Sequence, residues 1–227
     1  MAYPVTYDVD RPEQYNRLTV AFRLVLVIPH LFLVGGGGSY GGFSSGFQDD
    51  TGVAVAISLA TAGILTFVAS ILVFIAWFAI LFTGRFPESF RDFVMMIYRW
   101  TMNVHAYIAL QTNPYPPFSG NEPYPLRVHV RPADIHNRLT VAFRIFLVIP
   151  HVIVLFFLQF AQGIVSVIAW FVILITGQYP EGMYGFSAGV SRWYARVYAY
   201  SFLLVDEYPP FSLAPEQDQP DVQPRMA

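Results

Sequence analysis

Residues 16–30 read NRLTVAFRLVLVIPH and residues 137–151 read NRLTVAFRIFLVIPH, thirteen identities in fifteen positions at an offset of 121. A repeat this strong sets the architecture before any other feature is weighed. Upstream, Tyr3-Pro4 matches Tyr124-Pro125 at the same offset. Downstream the offset becomes 93: IAWFAILFTGRFPE (75–88) matches IAWFVILITGQYPE (168–181), Arg99-Trp100 matches Arg192-Trp193, and YPPFS recurs at 115–119 and 208–212. The first copy therefore carries 28 extra residues, in a stretch that contains GGGGSYGGFSSGFQDDTG. The chain divides into repeat 1 (1–119, with the glycine-rich insertion within about 31–58), repeat 2 (120–213) and a tail (214–227) rich in Pro, Gln and Asp and expected to be disordered.

Each copy reads in four parts. Val5, Tyr7 and Val9 alternate with Thr6 and Asp8, as Leu126, Val128 and Val130 do with Arg127 and His129, the period of a half-buried strand. An apolar helix then opens at an asparagine N-cap, Asn16 or Asn137, and carries Pro29 or Pro150 inside it, which lipid tolerates as a kink. A second apolar helix stops at Thr83-Gly84 or Thr176-Gly177, followed by Pro87 or Pro180. In repeat 2 both helices must fit between Ile145 and Ile175, with only Gln159, Gln162 and Gly163 to mark a turn. The expected unit is an apolar helical hairpin, transmembrane or re-entrant. The fourth part mixes apolar residues with Arg91, Asp92, Arg99 and Asn103 in one copy and Arg192 and Arg196 in the other, and predicts an amphipathic helix in the membrane interface.

Composition agrees with a mainly α, integral membrane fold. Of 227 residues, 55% are hydrophobic, 17% aromatic and only 12% charged, with a mean hydropathy of +0.47. A net charge of -2 gives no basic field for nucleic acid. All thirteen basic residues are arginine, and without cysteine there is no disulfide, thiolate metal site or lipidated thiol. The N-terminus lacks the basic and apolar regions of a cleaved signal peptide.

Arg11, Arg17, Arg85, Arg91, Arg99, Arg127, Arg131, Arg138, Arg192 and Arg196 flank the apolar stretches, whereas the loop from Gly35 to Gly52 has no arginine. The positive-inside rule then puts both termini in the cytoplasm and makes the halves parallel repeats about an axis along the membrane normal. Arg23 and Arg144 lie six residues into their helices, near enough to the start to snorkel to lipid phosphate, or alternatively to line a polar path between the halves. With Arg99, Arg192 and Arg196 they are the candidate lipid-phosphate contacts.

GFSAG (185–189) has the letters of a nucleophile elbow around Ser187, but no histidine follows it to complete a triad and an apolar helix precedes it. GGGGSYGG lacks the GK[ST] ending of a phosphate loop and reads as an exposed linker. His30 and His151 are repeat-equivalent in apolar surroundings and are candidate ligands for a shared bis-His haem, or else groups that satisfy carbonyls freed by the prolines. His105, His129 and His136 form no ligand spacing, so neither a metal site nor a catalytic residue is expected. Glu88 and Glu181 sit where carboxylates serve helix N-termini. The YPPFS segments are extended, and either pack under a helix or are recognised by another protein.

The set RLTVAFR, IPH, IAWFxILxTGxxPE, RW and YPPFS resembles DUF4389, a bacterial membrane family without an assigned activity, over nearly the whole chain and in two copies. The resemblance brings no catalytic residue and no cofactor. The expected function is a non-enzymatic inner-membrane protein that interacts with lipid or serves as an accessory subunit of a larger membrane assembly. Alternatives are a lipid transporter or scramblase using the interface between the repeats, and a bis-His haem electron-transfer subunit. Membrane lipids, and other membrane subunits, are the expected partners.

Overall fold

The computed structural model describes residues 3–35 and 63–215; the glycine-rich loop and the tail from 216 onward lie outside the described residues. Strands β1 (Val5–Val9) and β2 (Leu126–Val130) pair antiparallel, with Val5 opposite Val130, Tyr7 opposite Val128 and Val9 opposite Leu126. At the repeat offset Val5 corresponds to Leu126 and Val9 to Val130, so each strand pairs with its own copy about Tyr7 and Val128. The alternation is as read: Val5, Tyr7, Leu126, Val128 and Val130 are buried, while Asp8, Arg127 and His129 are exposed. A two-stranded ribbon does not stand alone in water. This one lies on two helices, α5 (Glu88–Ile108) beneath β2 and α7 (Glu181–Ser201) beneath β1.

The hairpin expectation is corrected. In repeat 2 the apolar residues form one helix, α6 (Arg138–Thr176), of 39 residues and about 58 Å by helix rise. A reversal would strand the last carbonyls of one arm and the first amides of the next, whereas a continuous helix satisfies them internally. Gln162 and Gly163 do not break it, because the Gln162 side chain turns into the core and bonds α7. Asn137 caps its start through the amide of Leu139, and Gly177 in the left-handed region ends it.

Repeat 1 builds the same rod in pieces. Helices α1 (Arg17–Ala21), α2 (Arg23–Leu26) and α3 (Ile28–Val34) follow the Asn16 cap, and α4 (Ile64–Thr83) completes the rod up to Gly84. Thr66 Oγ1 donates to the Val34 carbonyl at 2.9 Å. Without the 28 inserted residues, Thr66 would stand four places after Val34, so this is the i to i-4 bond that Ser70 and Thr83 make within α4. A Cβ at Gly63 would lie 2.2 Å from the Gly35 amide nitrogen, so the two helix ends meet only because position 63 has no side chain. The insertion thus falls at residues 35–62, in the middle of a helix that its sister copy leaves unbroken.

The interfacial placement of the fourth part is also corrected. Residues Val94, Met95 and Ile97 together with almost all of 98–107 are buried in α5, as are Tyr184, most of 187–191 and all of 193–200 in α7. Most of their polar residues find partners inside the protein, so these helices form the core, with the ribbon on one side and the long apolar rods on the other. Among the described residues, every exposed large apolar side chain on a helix belongs to the α1–α4 rod or α6. Helices α4 and α6 are long and apolar enough to cross a membrane, and only 17% and 22% of their apolar windows are buried, unlike a core helix of a soluble protein.

Candidate functional site

Helices α5 and α7 end alike. Leu110 and Leu203 sit at φ 62° and 61°, and the amides of Gln111 and Leu204 reach back to the carbonyls of Ala106 and Ala199 at 2.9 and 3.0 Å, closing Schellman-type turns. The carbonyls of Tyr107 and Tyr200 accept from the Leu110 and Leu203 amides at 3.1 Å in these turns and keep a second lone pair for the rods. Arg23 Nη1 donates to Tyr107 O at 2.8 Å and Arg144 Nη1 to Tyr200 O at 3.0 Å, each guanidinium centred 4.2 Å from the ring of the same tyrosine. A cation at the negative end of a helix and over an aromatic face is favourable twice. Both arginines are buried, at 2% and 3% exposure, and turn inward rather than snorkelling. Arg144 also donates to Val205 O at 3.0 Å and pairs with Asp206 at 2.6 Å. Among the described residues Arg23 has no carboxylate partner, and its Nε and Nη2 are buried without a hydrogen bond.

The histidines lie in two aromatic cages. Trp100 Nε1 donates to His30 Nδ1 at 3.0 Å while Phe118 stacks on the imidazole at 4.3 Å; Trp193 donates to His151 Nδ1 at 3.2 Å under Phe211 at 3.9 Å. Tyr115 and Tyr208 complete the cages. Histidine, the Trp of the RW pair and YPPFS therefore form one packing unit per copy, which resolves the alternatives for YPPFS in favour of packing. The cages share no residue, and among the described residues no hydrogen bond joins either imidazole to a carbonyl freed by the prolines.

A buried polar cluster built from both repeats has no counterpart at the repeat-equivalent positions. Ser191 Oγ accepts from the Nε2 atoms of Gln111 at 2.7 Å and Gln162 at 2.8 Å, which leaves its own hydrogen for His105 Nε2 at 3.1 Å. Burial pushes the His105 pKa down to about 4, in keeping with a neutral ring that accepts. Ser187 Oγ accepts from the same two amides, and Tyr7 donates to Gln111 Oε1 at 2.5 Å. At the repeat offsets Gln162, Ser187, Ser191 and Gln111 correspond to Ala69, Val94, Tyr98 and Leu204. The fold itself therefore does not require the cluster. Ser187 lies within helix α7 and is fully buried, which is not the strand-to-helix turn of a nucleophile elbow.

On the opposite side of the core, a groove of about 810 Å³ opens between α4 of repeat 1 and α6 of repeat 2. Val73, Phe74 and Trp77 face Ile145, Val148 and Ile149, and its polar residues are Ser70, Arg144 and Ser201. Ser70 and Ser201 bond their own helix carbonyls, so apart from Arg144 the lining is effectively hydrocarbon.

The other arginines lie near the ribbon. Arg192 donates to Tyr7 O at 3.3 Å and Leu213 O at 2.9 Å, and Arg196 to Ser212 O at 3.2 Å and Ala214 O at 3.0 Å, fastening the segment after YPPFS. Arg99 lines a separate polar groove. Of the five expected phosphate contacts, only Arg144 adjoins the apolar groove. Asp206, Tyr107, Tyr200 and the glutamine–serine cluster escape a reading based on identities, because each is defined by a contact more than fifty residues away or by a difference between the copies.

A family model described as "Domain of unknown function (DUF4389)" matches residues 53–120 and 138–212. No curated protein and no solved structure matches the chain.

Proposed function

For a chain that belongs to the DUF4389 family, in two tandem copies, we propose a non-enzymatic role as a lipid-interacting protein of the bacterial plasma membrane, with the groove between α4 and α6 as the seat of an acyl chain. The carrying observation is the continuous exposed apolar surface of the two rods, interrupted by a groove of about 810 Å³ lined almost wholly by hydrocarbon. Exposed apolar surface on this scale marks contact with lipid or with another apolar partner. The finer placement is multi-pass with both termini in the cytoplasm, an application of the positive-inside rule to the arginines that flank the apolar stretches of the sequence. Single cysteines introduced at positions 2, 41 and 220 of this cysteine-free chain test it: position 41 alone should label from outside.

The groove is tested by native mass spectrometry after mild-detergent extraction. The wild type should carry phospholipid, and Val148→Trp, which fills the groove, should carry less at unchanged melting temperature. Equal lipid in both proteins would place lipid elsewhere.

A second reading, lipid translocation, is favoured by one observation: the groove runs between the repeats, with the buried Arg144 in its lining. Proteoliposomes that flip labelled lipid no faster than empty vesicles would remove it. An accessory subunit would use the same apolar surface against protein, and stable co-purification with another membrane protein is its expected sign.

A further inference from the structure

The two copies treat equivalent positions on the ribbon side of the core helices differently. In repeat 2, Arg192 and Arg196 are committed to the carbonyls of Tyr7, Ser212, Leu213 and Ala214, so the chain's own segment occupies the place. The corresponding residues of repeat 1 are Arg99 and Asn103, and they line an open groove of about 450 Å³ bounded by residues 120–124 and β2. Among the described residues the Arg99 side chain makes no hydrogen bond or ion pair, and its Nε is buried without a partner. Asn103 is 5% exposed, makes no side-chain hydrogen bond among the described residues, and lines the same space.

The other arginine at the rim is already paired, while Glu122 keeps its negative charge. Arg127 is held by Asp8 at 2.7 Å and Asp10 at 2.9 Å, and Glu122 accepts from Ser119 at 3.3 Å. Arg99 is thus the uncommitted cation of this groove, with an amide one helical turn away to donate alongside it. The rim is polar, and no exposed large apolar side chain lines it, so it suits a hydrophilic ligand rather than an acyl chain.

We infer that the Arg99–Asn103 groove binds an oxyanion, a phosphate or carboxylate group, in the position that repeat 2 fills with its own backbone carbonyls. A guanidinium fork takes two oxygens of either group, and the carboxamide donates to a third acceptor or to the same oxygen. The site is independent of the lipid groove, which lies on the other side of the core.

The test is isothermal titration of sodium phosphate and sodium acetate into the full chain in phosphatidylcholine nanodiscs, with sodium chloride at equal ionic strength as the blank. Saturable binding of either anion is expected, weakened at least tenfold by Arg99→Gln and severalfold by Asn103→Leu. Arg85→Gln, at an exposed arginine outside the groove, should bind as the wild type does. The Arg99 side chain makes no hydrogen bond among the described residues, so Arg99→Gln should keep the wild-type melting temperature; Asn103→Leu supplies a second readout. No saturable binding of either anion, or binding that survives Arg99→Gln, overturns the proposal. Soluble dihexanoyl phosphatidylglycerol distinguishes the source: competition with phosphate assigns the oxyanion to a lipid headgroup, and lack of competition to a free hydrophilic anion.

Discussion

Asn113 stands in repeat 1 where Asp206 stands in repeat 2, and each accepts a hydrogen bond from the backbone amide of an N-cap asparagine, Asn16 or Asn137. Only Asp206 brings a charge, and it gives that charge to the buried Arg144 at 2.6 Å. Arg23 is buried to the same degree with no counter-ion among the described residues. One residue therefore separates a compensated buried cation from an uncompensated one.

Supplying the missing charge should stabilise the protein. Asn113→Asp is expected to raise unfolding free energy by about 1–2 kcal/mol, and Asp206→Asn to lower it by about 2–3 kcal/mol, at the low end for a broken buried pair because Asp206 is partly exposed. Denaturant titrations in the same detergent measure both. A destabilised Asn113→Asp would mean that Arg23 needs no anion.

The tryptophan–histidine bonds should show as pairwise coupling. Trp193→Phe leaves His151 Nδ1 buried and unpaired at a cost of about 1–2 kcal/mol, and Trp193→Phe with His151→Phe should cost less than the two single changes summed. Additive losses in a double-mutant cycle would deny the bond any part in stability.

Acid should destabilise the core through His105. Its folded pKa, near 4, lies below the ordinary 6.5, so the unfolded chain takes up the proton first. The loss begins as pH falls below about 6.5 and is complete near 4, with a magnitude on the order of 3 kcal/mol. His105→Gln, which still accepts from Ser191, should be less sensitive than the wild type between pH 7 and 4.5 in thermal melts. Equal sensitivity of the two proteins would shift the effect to other groups.

Removing residues 35–62 and changing Gly63 to Phe, the residue at the matching place in repeat 2, should give a folded chain whose rod runs through from Val34. Its melting temperature is expected to equal or exceed the wild type's, because a loop closure is removed. Aggregation, or a fall of several degrees, would mean that the rods do not share a register.

The sequence alone determined the duplication, the strand alternation, the asparagine caps, the glycine stops and the apolar character of the rods, because each is written in residues a few positions apart. Periodicity and caps are local physics. It did not determine that the apolar residues of each copy form a rod rather than a hairpin, since Gln162 and Gly163 read as a turn until the Gln162 amide is seen spanning to Ser187 and Ser191. Nor could it place α5 and α7 in the core. Their arginines and serines look like an interfacial face in one dimension, and become interior only when carbonyls and amides from distant segments satisfy them. Arg23 and Arg144 show the boundary most clearly: the sequence marked both as charges inside apolar helices, expected to snorkel to phosphate or line a polar path, but only tertiary structure could say that each caps a distant helix and that one of them has an anion.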